Sequence, residues 1–410
     1  MLKIILLFLF SIIIYSNTEA RKCYDYMLLD GGENLVTYGM DTTQHWWAVT
    51  QPFEESYRLI IDGQKSDVYK EIKQLTFSAD GKRWACFVKN NVEWFLMTND
   101  TLISIHGNEI GEIEFSPNSR HIVYSFYEAN DEIIVYKGKR IRTYLRTGRI
   151  LLSNNAERIA WVSNRSNGFV LNISGKETEV YDNIIPIGFW YNAEMLWAAK
   201  NGDVWEIYKG SESISDVYLN ISEAAINLGG NVAAALATEQ SGKHVGILIS
   251  DEYYEPLVGS LYDQTYNLIL HPSLPLLAYN AENIGQKLVI LNTAEYYGGK
   301  ESTGAPVFTH DGEDLYFLGC DIHCFVNING RKYTLNSEIP INRFYAKKPG
   351  SNTIAYSTNS SMVVKDIETN GMYAGMMVDE LISPRYNWRN STYETLGSIG
   401  NRLYLMTCKY

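Results

Sequence analysis

The fold is decided by one stretch of the chain, residues 74–97, which reads QLTFSADGKRWACFVKNNVEWFLM. Leu75 and Phe77 alternate with polar neighbours, as in a half-buried strand, and the turn sequence Ser-Ala-Asp-Gly follows them. The apolar run at 84–88 predicts a strand that is covered on both faces. A second turn is predicted at the two asparagines that follow, and Val92 is predicted to open a third strand. One such meander cannot cover both its faces, so it needs copies on either side.

Copies of this stretch occupy most of the chain. The aromatic or aliphatic residue just before each turn marks them, and this marker recurs about every 38 residues, at Met40, Phe77, Phe115, Leu152, Phe189, Leu228, Leu270, Phe308 and Phe344. In most copies a second apolar strand is expected to open seven residues after the marker. The ninth copy is expected to carry a three-residue insertion in its turn, around 347–350.

A period near 38 residues, short strands and the absence of a helical pattern are typical of propeller blades. We therefore expect an all-β protein, a β-propeller of repeated four-stranded antiparallel blades, which fills residues 21–410 as one domain. Nine markers and a closing blade exceed the usual four to eight blades, so the expected count is about 8 to 10. The alternatives are an unusually large ring, markers that are not blades, and two small rings that meet near Gly229 and Gly230.

Two of the copies resemble a known repeat. The segments FSPNSRHIVY at 115–124 and FSADGKRWA at 77–85 are similar to the "F-S-P-D-G-K-x-I-A-Y" element of WD-like repeats in TolB-type and prolyl-oligopeptidase-type propellers. The resemblance covers residues 39–367 and implies the fold. It is nearly silent on activity, and the chain lacks the G-x-S-x-G elbow that a peptidase of this kind would need.

The first twenty residues predict a secretory signal. One lysine precedes an uncharged apolar run at 4–15, and Thr18 and Ala20 suit signal peptidase. That run is shorter than the roughly 20 residues that span a bilayer. We therefore expect a secreted or extracytoplasmic protein (periplasm or extracellular), with no stable membrane insertion after the signal is cleaved. The alternative is an uncleaved anchor.

Both ends of the mature chain contain a predicted strand, at 24–29 and at 402–408. Cys23 flanks the first of these strands, and Cys408 ends the second. We predict that one blade takes strands from both termini and so closes the ring, and that a disulfide joins Cys23 to Cys408, since the compartment permits oxidation. The alternative is a pair of frayed, solvated ends with both thiols free.

The other cysteines lie inside the repeats. Cys320 and Cys324 stand at the neck of a predicted tight hairpin, which favours a local disulfide over free thiols or over a metal site that would include His323. Cys86, in the middle of the apolar run at 84–88, is predicted to be a buried free thiol.

The formal net charge of −12 argues against a nucleic-acid partner, which would require a basic stripe. The densest basic stretch, residues 137–142 with Arg146 and Arg149, is short and lies on one predicted hairpin. We interpret it as a solvated blade edge, where Lys and Arg discourage edge-to-edge pairing. The alternative is a local docking site for an acidic partner.

Most of the thirty tyrosines and nine tryptophans are expected to fill the wedges between blades. Three adjacent pairs are candidate contact residues for a protein or glycan partner: Trp46 and Trp47 on a strand, and Tyr253 with Tyr254 and Tyr296 with Tyr297 in predicted connections. The alternative for these pairs is anchoring of their own segments onto the ring.

No sequence motif for catalysis, metal binding or cofactor binding is present. The acidic segments at 30–34 and 311–314 lack the alternating ligands of a calcium loop and are interpreted as turns. Carboxylates that converge from different blades would escape a motif search, so a propeller glycosidase or lyase remains an alternative.

Six N-x-S/T sequons could accept a glycan in a eukaryotic host. They start at Asn99, Asn164, Asn172, Asn220, Asn359 and Asn390.

The sequence does not identify a function, because the propeller fold hosts many. The expectation is a non-enzymatic, monomeric propeller that binds a protein, or a glycan, through its loop faces and needs no cofactor. The alternatives are the enzyme above and a TolB-like component of an envelope complex. Against the latter, the repeats begin soon after the signal, where TolB-type proteins have an α/β domain.

Overall fold

The computed structural model describes residues 23–253, 255–334, 345–358, 360–369 and 371–409. Their regular secondary structure is entirely β, arranged as ten antiparallel blades of a β-propeller. No helix within these ranges is long and apolar enough to cross a membrane. The predicted signal at 1–20 lies outside the described residues.

Each blade is a meander of four strands, A to D, in chain order. The first strand of the chain, β1 (Cys23–Asp30), belongs to the tenth blade. Blades 1 to 3 contain β2 (Asn34–Met40), β3 (Trp46–Phe53), β4 (Ser56–Ile61), β5 (Gln64–Tyr69), β6 (Glu71–Phe77), β7 (Trp84–Lys89), β8 (Trp94–Thr98), β9 (Leu102–Ile105), β10 (Glu109–Phe115), β11 (Ile122–Glu128), β12 (Asp131–Tyr136) and β13 (Lys139–Thr143). Blades 4 to 6 contain β14 (Arg146–Leu152), β15 (Ile159–Arg165), β16 (Gly168–Ile173), β17 (Lys176–Glu177), β18 (Asn183–Phe189), β19 (Met195–Asn201), β20 (Val204–Lys209), β21 (Glu212–Ser213), β22 (Asn220–Ile226), β23 (Val232–Thr238), β24 (His244–Ser250) and β25 (Leu257–Val258).

In blades 8 and 10 strand A is split into two short pieces that both pair with strand B. Blades 7 and 8 contain β26 (Gln264–Leu270), β27 (Leu277–Asn283), β28 (Gln286–Leu291), β29 (Ala294–Gly299), β30 (Ser302–Thr303), β31 (Val307–Phe308), β32 (Leu315–Cys320), β33 (Cys324–Ile328) and β34 (Arg331–Thr334). Blades 9 and 10 contain β35 (Tyr345–Lys347), β36 (Thr353–Ser357), β37 (Met362–Asp366), β38 (Met372–Ala374), β39 (Glu380–Leu381), β40 (Arg385–Asn387), β41 (Thr392–Ile399) and β42 (Arg402–Lys409).

The chain forms two compact units. The eight-blade unit, Glu33–Asn342, holds blades 1 to 8, and the two-blade unit, Met1–Gly32 with Arg343–Tyr410, holds blades 9 and 10. Within the eight-blade unit each core is shared between neighbours. Leu196 and Ala235 belong to one buried cluster of blades 5 and 6, and Leu236 and Tyr279 to the next, of blades 6 and 7. The cores are therefore continuous past Gly229 and Gly230, which excludes a junction of two small rings at that point.

The prediction that one blade takes strands from both termini is confirmed. Strand β1 pairs antiparallel with β42 along its whole length and forms the outer strand of blade 10. Cys23 lies directly opposite Cys408, with their Cα atoms 4.0 Å apart, and the two form a disulfide. A second disulfide joins Cys320 to Cys324 across the hairpin of β32 and β33, as the spacing predicted.

Two of the nine markers are placed differently. In blade 6 the last residue of strand A is Ile226, which pairs with Ala233, and the predicted marker Leu228 lies beyond it in the turn. In blade 9 the predicted marker Phe344 lies outside the described residues, and Lys347 pairs with Ile354. The paired residues Lys347 and Ile354 are as far apart in sequence as the paired residues Phe77 and Trp84 of blade 2. The turn of blade 9 therefore has the usual length, and the predicted three-residue insertion is wrong. The register was predicted wrongly because Lys347, which is buried, occupies a position that is apolar in other blades.

The predicted third strand of the defining stretch also starts later. Val92 was expected to open it, but β8 begins at Trp94, and Val92 lies in the preceding turn with its side chain exposed. The side chain of Asn90 fixes this turn, since its Oδ1 accepts hydrogen bonds from the amides of Val92 and Glu93, at 2.7 and 2.9 Å.

The A–B turns repeat one hydrogen-bonding scheme. In blade 2 the Ser78 hydroxyl accepts from the Arg83 amide at 3.0 Å and donates to Asp80, which in turn accepts from the Lys82 amide at 3.1 Å. Blades 3, 4 and 8 repeat it, with the hydroxyls of Ser116, Ser153 and Thr309 and the side chains of Asn118, Asn155 and Asp311. Short polar side chains thus satisfy the turn backbone, which is the physical content of the "F-S-P-D-G" pattern.

Replacing Gly81 with valine is expected to lower the free energy of unfolding by about 2–3 kcal/mol. Gly81 has φ +70°, and a side chain there would also overlap Thr43 in the turn of blade 1. Gly175→Val is the matched control, because Gly175 has φ +89° but no atom within 4 Å of the added carbon. The control should cost about 1 kcal/mol, from backbone strain alone. Equal losses in a urea titration would contradict the contact with blade 1.

Cys86 is expected to react with thiol reagents only when the protein unfolds. It is fully buried and is the free cysteine of the described chain, in agreement with the sequence. Burial raises the pKa of its thiol to about 12, so the reactive thiolate is scarce at neutral pH. Mass spectrometry after labelling should find one modified site in denaturant and none in buffer. Rapid labelling of the native protein would mean that the Cys86 side chain lies on an exposed face of β7.

Candidate functional site

The two ends of each blade form two different surfaces. Because the strands are antiparallel, the A–B and C–D turns lie at one end of a blade, here the A–B side, and the B–C turns and D–A connections lie at the other, the B–C side. On the A–B side of the eight-blade unit, successive turns are hydrogen-bonded to one another: Asp80 N to Ser119 Oγ at 3.0 Å, Arg158 Nη1 to Ala193 O at 2.8 Å, Tyr191 N to Gly230 O at 2.7 Å, and His271 Nε2 to Gly312 O at 3.1 Å.

The B–C side carries the most exposed apolar side chains. Among the described residues, six large apolar side chains are more than 70% exposed: five lie in a B–C turn or a D–A connection, and Phe53 is the last residue of strand B at the same end of its blade. Five belong to the eight-blade unit: Ile284 (91%), Ile322 (89%), Val92 (85%), Leu145 (74%) and Phe53 (71%). The sixth, Met377 (74%), lies between blades 9 and 10. On the A–B side of the eight-blade unit the highest value is 65%, at Leu228. We call the five residues of the eight-blade unit the apolar tips.

Ile284 combines exposure with backbone strain. It occupies the first turn position between β27 and β28 with φ +51°, and Gly285 follows with φ +72°. Such two-residue turns favour Asn or Gly in this place, because a β-branched residue clashes with its own backbone there. The cost is about 1–2 kcal/mol, and no burial offsets it. Strain of this kind is a reason to suspect a functional role.

Ile322 is presented by a rigid loop. The disulfide between Cys320 and Cys324 closes the loop around it. Asp321, next to it, accepts hydrogen bonds from the hydroxyl of Tyr297 at 2.5 Å and from the Lys300 amide at 2.9 Å. These hydrogen bonds hold the pKa of the Asp321 carboxyl below its usual range, Tyr297 being the largest cause. A loop fixed in this way loses little freedom when its tip is buried against a partner.

A cleft lies along the outer edges of blades 5 and 6, next to their D strands. The outer strands β21 and β25 have only two residues each, and the connection between β24 and β25 runs through 251–256 instead of a two-residue turn. This longer connection explains why the spacing between successive markers is largest from Leu228 to Leu270. The cleft has a volume of about 930 Å³ and is lined by residues 209–218 in part and by residues 249–258 in part. Repeat proteins often place such insertions on a binding face.

Asp251 links blade 6 to blade 5 beside this cleft. The indole Nε1 of Trp190 donates to both of its carboxylate oxygens, at 3.0 and 3.1 Å, and the ammonium of Lys209 lies 3.1 Å from one of them. Lys209 also lies 4.6 Å from the centre of the Trp190 ring. Partial burial works to raise the pKa of Asp251, but the hydrogen bonds from Trp190 and Lys209 outweigh it and lower the pKa.

Two of the three predicted aromatic pairs are partly buried. Trp46 and Trp47 are only partly exposed, and the Trp47 ring packs over Gly39 and against the core of blades 1 and 2. Tyr296 and Tyr297 were predicted in a connection but lie within β29, packed against the core of blades 7 and 8. The two glycines after them end a strand here and do not mark a loop.

The third pair is partly described. Tyr253 lies in the connection that lines the blade 5–6 cleft, and its side chain is exposed. Tyr254 lies outside the described residues. Tyr253 is thus a predicted contact residue that the structure places in a cleft.

Carboxylates on two of the A strands accept hydrogen bonds from the next blade. Glu112 accepts from the Ile150 amide of the next blade at 3.1 Å, and Glu223 accepts from the amides of Asn267 and Leu268 at 3.0 and 2.9 Å. No cluster of three or more His, Cys, Asp or Glu side chains suited to a metal ion occurs in the part of the chain that the structure describes. These contacts give the carboxylates a structural task and offer no support to the glycosidase or lyase alternative.

The basic stretch is a neutralised blade edge. Residues 139–143 form β13, the outer strand of blade 3. Arg140 pairs with Glu128, Arg142 with Asp131 at 3.2 Å, and Arg149 with Glu114 at 2.9 Å. Arg146 is buried between carboxylates. The arrangement agrees with the interpretation as an edge that is protected against pairing.

The sequons differ in access. Asn172 is 9% exposed, and its Oδ1 accepts a hydrogen bond from the Gly175 amide at 2.9 Å. Asn359 lies outside the described residues. The others are exposed and lie on both sides of the blades: Asn99, Asn164, Asn220 and Asn390.

One repeated signal escaped the sequence analysis. The pattern [ST]-[DE]-V-Y occurs at 66–69, at the end of strand D in blade 1, and at 178–181 and 215–218, just after strand D in blades 4 and 5. In each case the hydroxyl of the first residue accepts a hydrogen bond from the amide of strand C, as from Ile207 to Ser215 at 2.9 Å. The valine faces outward, and the tyrosine turns in toward the core. This pattern would have located the outer strands and the rim of the cleft.

No family model matches the chain, and no curated protein matches it. Its fold is similar to that of several solved propellers. A eukaryotic initiation factor is 14% identical, with 77% of this chain and 96% of that chain covered and a TM-score of 0.45. The Dos1 propeller is 9% identical, with 82% and 92% covered and a TM-score of 0.41. TolB from Acinetobacter baumannii is 8% identical, with 62% and 75% covered and a TM-score of 0.31. The sheet topology of the chain itself identifies the fold as a β-propeller.

Proposed function

We propose that this protein is an extracytoplasmic, non-enzymatic propeller that docks a protein partner on its B–C side. The observation that carries the proposal is the distribution of the most exposed apolar side chains, all of which lie at that end of the blades. Scattered apolar residues on a surface need no explanation, but a one-sided distribution does. Two disulfides support an extracytoplasmic location, because such bonds persist in oxidising compartments.

The chemistry of the apolar tips favours a protein over a glycan. Four of the five tips are aliphatic, at Val92, Leu145, Ile284 and Ile322, and glycans are held by flat aromatic faces and hydrogen bonds. Aliphatic side chains gain free energy by entering an apolar pocket, at about 25 cal/mol per Å² of buried surface. A partner with several shallow apolar pockets therefore fits this side.

The experiment compares partner capture by three forms of the immobilised protein. The tip variant carries Phe53→Ser, Ile284→Ser and Ile322→Ser, and the matched control carries Leu228→Ser and Leu274→Ser on the A–B side. All five side chains are exposed, so both variants should fold with unchanged melting temperatures. We expect the wild type and the control to capture the same protein from the native source, and the tip variant to lose it. Equal capture by the tip variant would refute docking at the B–C side.

A further inference from the structure

The five apolar tips are not spread evenly over the B–C side of the eight-blade unit. Phe53 and Val92 belong to blades 1 and 2, Ile284 and Ile322 to blades 7 and 8, and Leu145 to the connection from blade 3 to blade 4. No described residue between Leu145 and Ile284 is a tip. The B–C turns of blades 4 to 6 contain only polar residues and glycine, at 166–167, 202–203 and 239–243. We call the B–C side of these three blades the polar sector.

Two exposed glycosylation sequons lie in the polar sector. Asn164 is next to last in strand B of blade 4, and the Ser166 of its sequon stands in the B–C turn. Asn220 opens strand A of blade 6, at the same end of the blades. Both asparagines are exposed, and the side-chain amide of neither makes a hydrogen bond to a described residue. Both positions therefore leave room for a glycan that extends into solvent.

The other described sequons lie at the A–B ends of their blades and are less suited to a glycan. Asn99 is held by backbone groups on both sides of its amide, each at 3.5 Å. Asn172 is buried, and its side chain accepts a hydrogen bond within its own turn. In the sequon of Asn390, the hydroxyl of Thr392 is buried and donates to Glu394 at 2.8 Å. The structure thus separates Asn164 and Asn220 from the rest.

We propose that N-linked glycans on Asn164 and Asn220 cover the polar sector and confine docking to the tips of blades 1, 2, 7 and 8. In the transfer, the amide nitrogen Nδ2 bonds to the anomeric carbon of a lipid-linked oligosaccharide and loses one proton, and the lipid pyrophosphate leaves with the electron pair of the broken bond. The donor and its transferase belong to the eukaryotic secretory pathway, which the signal predicted at 1–20 would let the chain enter. The confinement of docking rests on the proposed function, whereas the assignment of the glycans does not.

A glycan on Asn164 also shields the fifth tip. The amide of Asn164 donates to Leu145 O at 2.9 Å, so the two residues lie side by side. A partner that closed over Leu145 would remove water from the sugar hydroxyls without replacing their hydrogen bonds, which is unfavourable. Leu219, which is 38% exposed, directly precedes Asn220. The two glycans therefore stand over exposed apolar side chains in and beside the polar sector.

Glycopeptide mapping of the full chain, secreted from insect or human cells, tests the assignment. Enzymatic release of the glycans in heavy-oxygen water converts each occupied asparagine to a labelled aspartate. We expect high occupancy at Asn164 and Asn220 and none at Asn172, where the fold leaves no room for a glycan. An unmodified Asn164 or Asn220 in the secreted, folded protein would overturn the proposal, whatever the result of the docking experiment.

Hydroxyl-radical footprinting tests what the glycans cover. The comparison form is Asn164→Gln/Asn220→Gln, which lacks both acceptors and should keep its melting temperature because both positions are exposed. Oxidation of Leu145 and Leu219 should be several-fold lower in the glycosylated protein than in this variant, and oxidation of Ile284 should be equal in both. Equal oxidation of Leu145 in the two forms would overturn the shielding.

A glycan placed beside a tip outside the polar sector tests the confinement of docking. Glu54→Asn creates a sequon with Ser56 next to Phe53, and Glu54→Asn/Ser56→Ala is the matched control without a glycan. The readout is capture of the protein that the wild type retains in the docking experiment. We expect Glu54→Asn to lose capture, and the control and Asn164→Gln/Asn220→Gln to retain it.

Two results of this capture experiment would overturn the confinement. One is undiminished capture by glycosylated Glu54→Asn, and the other is weaker capture by Asn164→Gln/Asn220→Gln, which would place the partner on the glycans themselves. Failure of the docking proposal has a different sign, equal capture by the tip variant Phe53→Ser/Ile284→Ser/Ile322→Ser. It leaves the mapping and footprinting results unchanged.

Discussion

Replacing Cys23 and Cys408 with serine is expected to lower the free energy of unfolding by about 5 kcal/mol. The two residues are 385 positions apart, and chain-entropy arguments assign the greatest stabilisation to disulfides that close the longest loops. The serine variant keeps the pairing of β1 with β42 but loses the covalent limit on the unfolded chain. Guanidinium titrations of the non-reduced proteins would measure the loss.

The second disulfide provides the control. Cys320 and Cys324 are four positions apart, so Cys320→Ser/Cys324→Ser should cost about 2 kcal/mol or less. Peptide mapping without reduction should recover a fragment that joins the two termini of the wild type. Recovery of Cys23 and Cys408 as separate thiol peptides, or equal losses in the two double variants, would contradict the prediction.

Replacing Arg146 with methionine is expected to cost about 3–5 kcal/mol. The Arg146 side chain is 8% exposed and that of Glu132 is 3% exposed. The guanidinium donates to both oxygens of Glu132, at 2.8 and 2.9 Å from Nε, and to Glu112 at 2.8 Å from Nη1. Burial opposes its charge, but the hydrogen bonds and charges of the two carboxylates raise its pKa. Without it, Glu132 is a buried charge with no cation.

A double variant and a neighbour test the mechanism. Arg146→Met/Glu132→Met should cost less than Arg146→Met alone, because it removes both buried charges together. Arg149→Met should cost less than about 1 kcal/mol, since Arg149 is 71% exposed in its ion pair with Glu114. Thermal or denaturant unfolding would give these values. A double variant that is less stable than the single one would mean that packing, and not charge, dominates at this site.

Sequence alone predicted the fold where local chemistry repeats. Ser78, Asp80 and Gly81 make their turn predictable from sequence. The Ser78 and Asp80 side chains form the hydrogen bonds of the turn, and Gly81 adopts a positive φ. The register was missed where the marker residue is atypical. In blade 9, Lys347 occupies the position that is apolar in other blades. In blade 6, the two glycines at 229–230 led to the prediction of Leu228 as the marker, whereas the equivalent residue is Ile226.

The candidate site was less accessible to sequence reasoning. Val92, Ile284 and Ile322 have the same side chains as the core strands, and only their position in turns separates them from core residues. For Ile322, an apolar residue inside a predicted tight hairpin was the available signal, whereas Val92 was predicted to open a strand. The blade 5–6 cleft depends on residues that lie far apart in the sequence, such as Trp190 and Asp251, and on the length of outer strands that carry little pattern.

The pairing of the first described strand with the last has a consequence for biosynthesis. Cys23 is translated 385 residues before Cys408, and at about 5–20 residues per second the ribosome needs roughly 20–80 s for that interval. Throughout it, β1 has no strand to pair with, and the thiol of Cys23 can react with Cys86, Cys320 or Cys324 as each of them emerges. Cells that make this protein must therefore keep Cys23 reduced, or exchange its early partners, until translation is complete. Expression hosts without a disulfide isomerase should accumulate cross-linked, trapped chains.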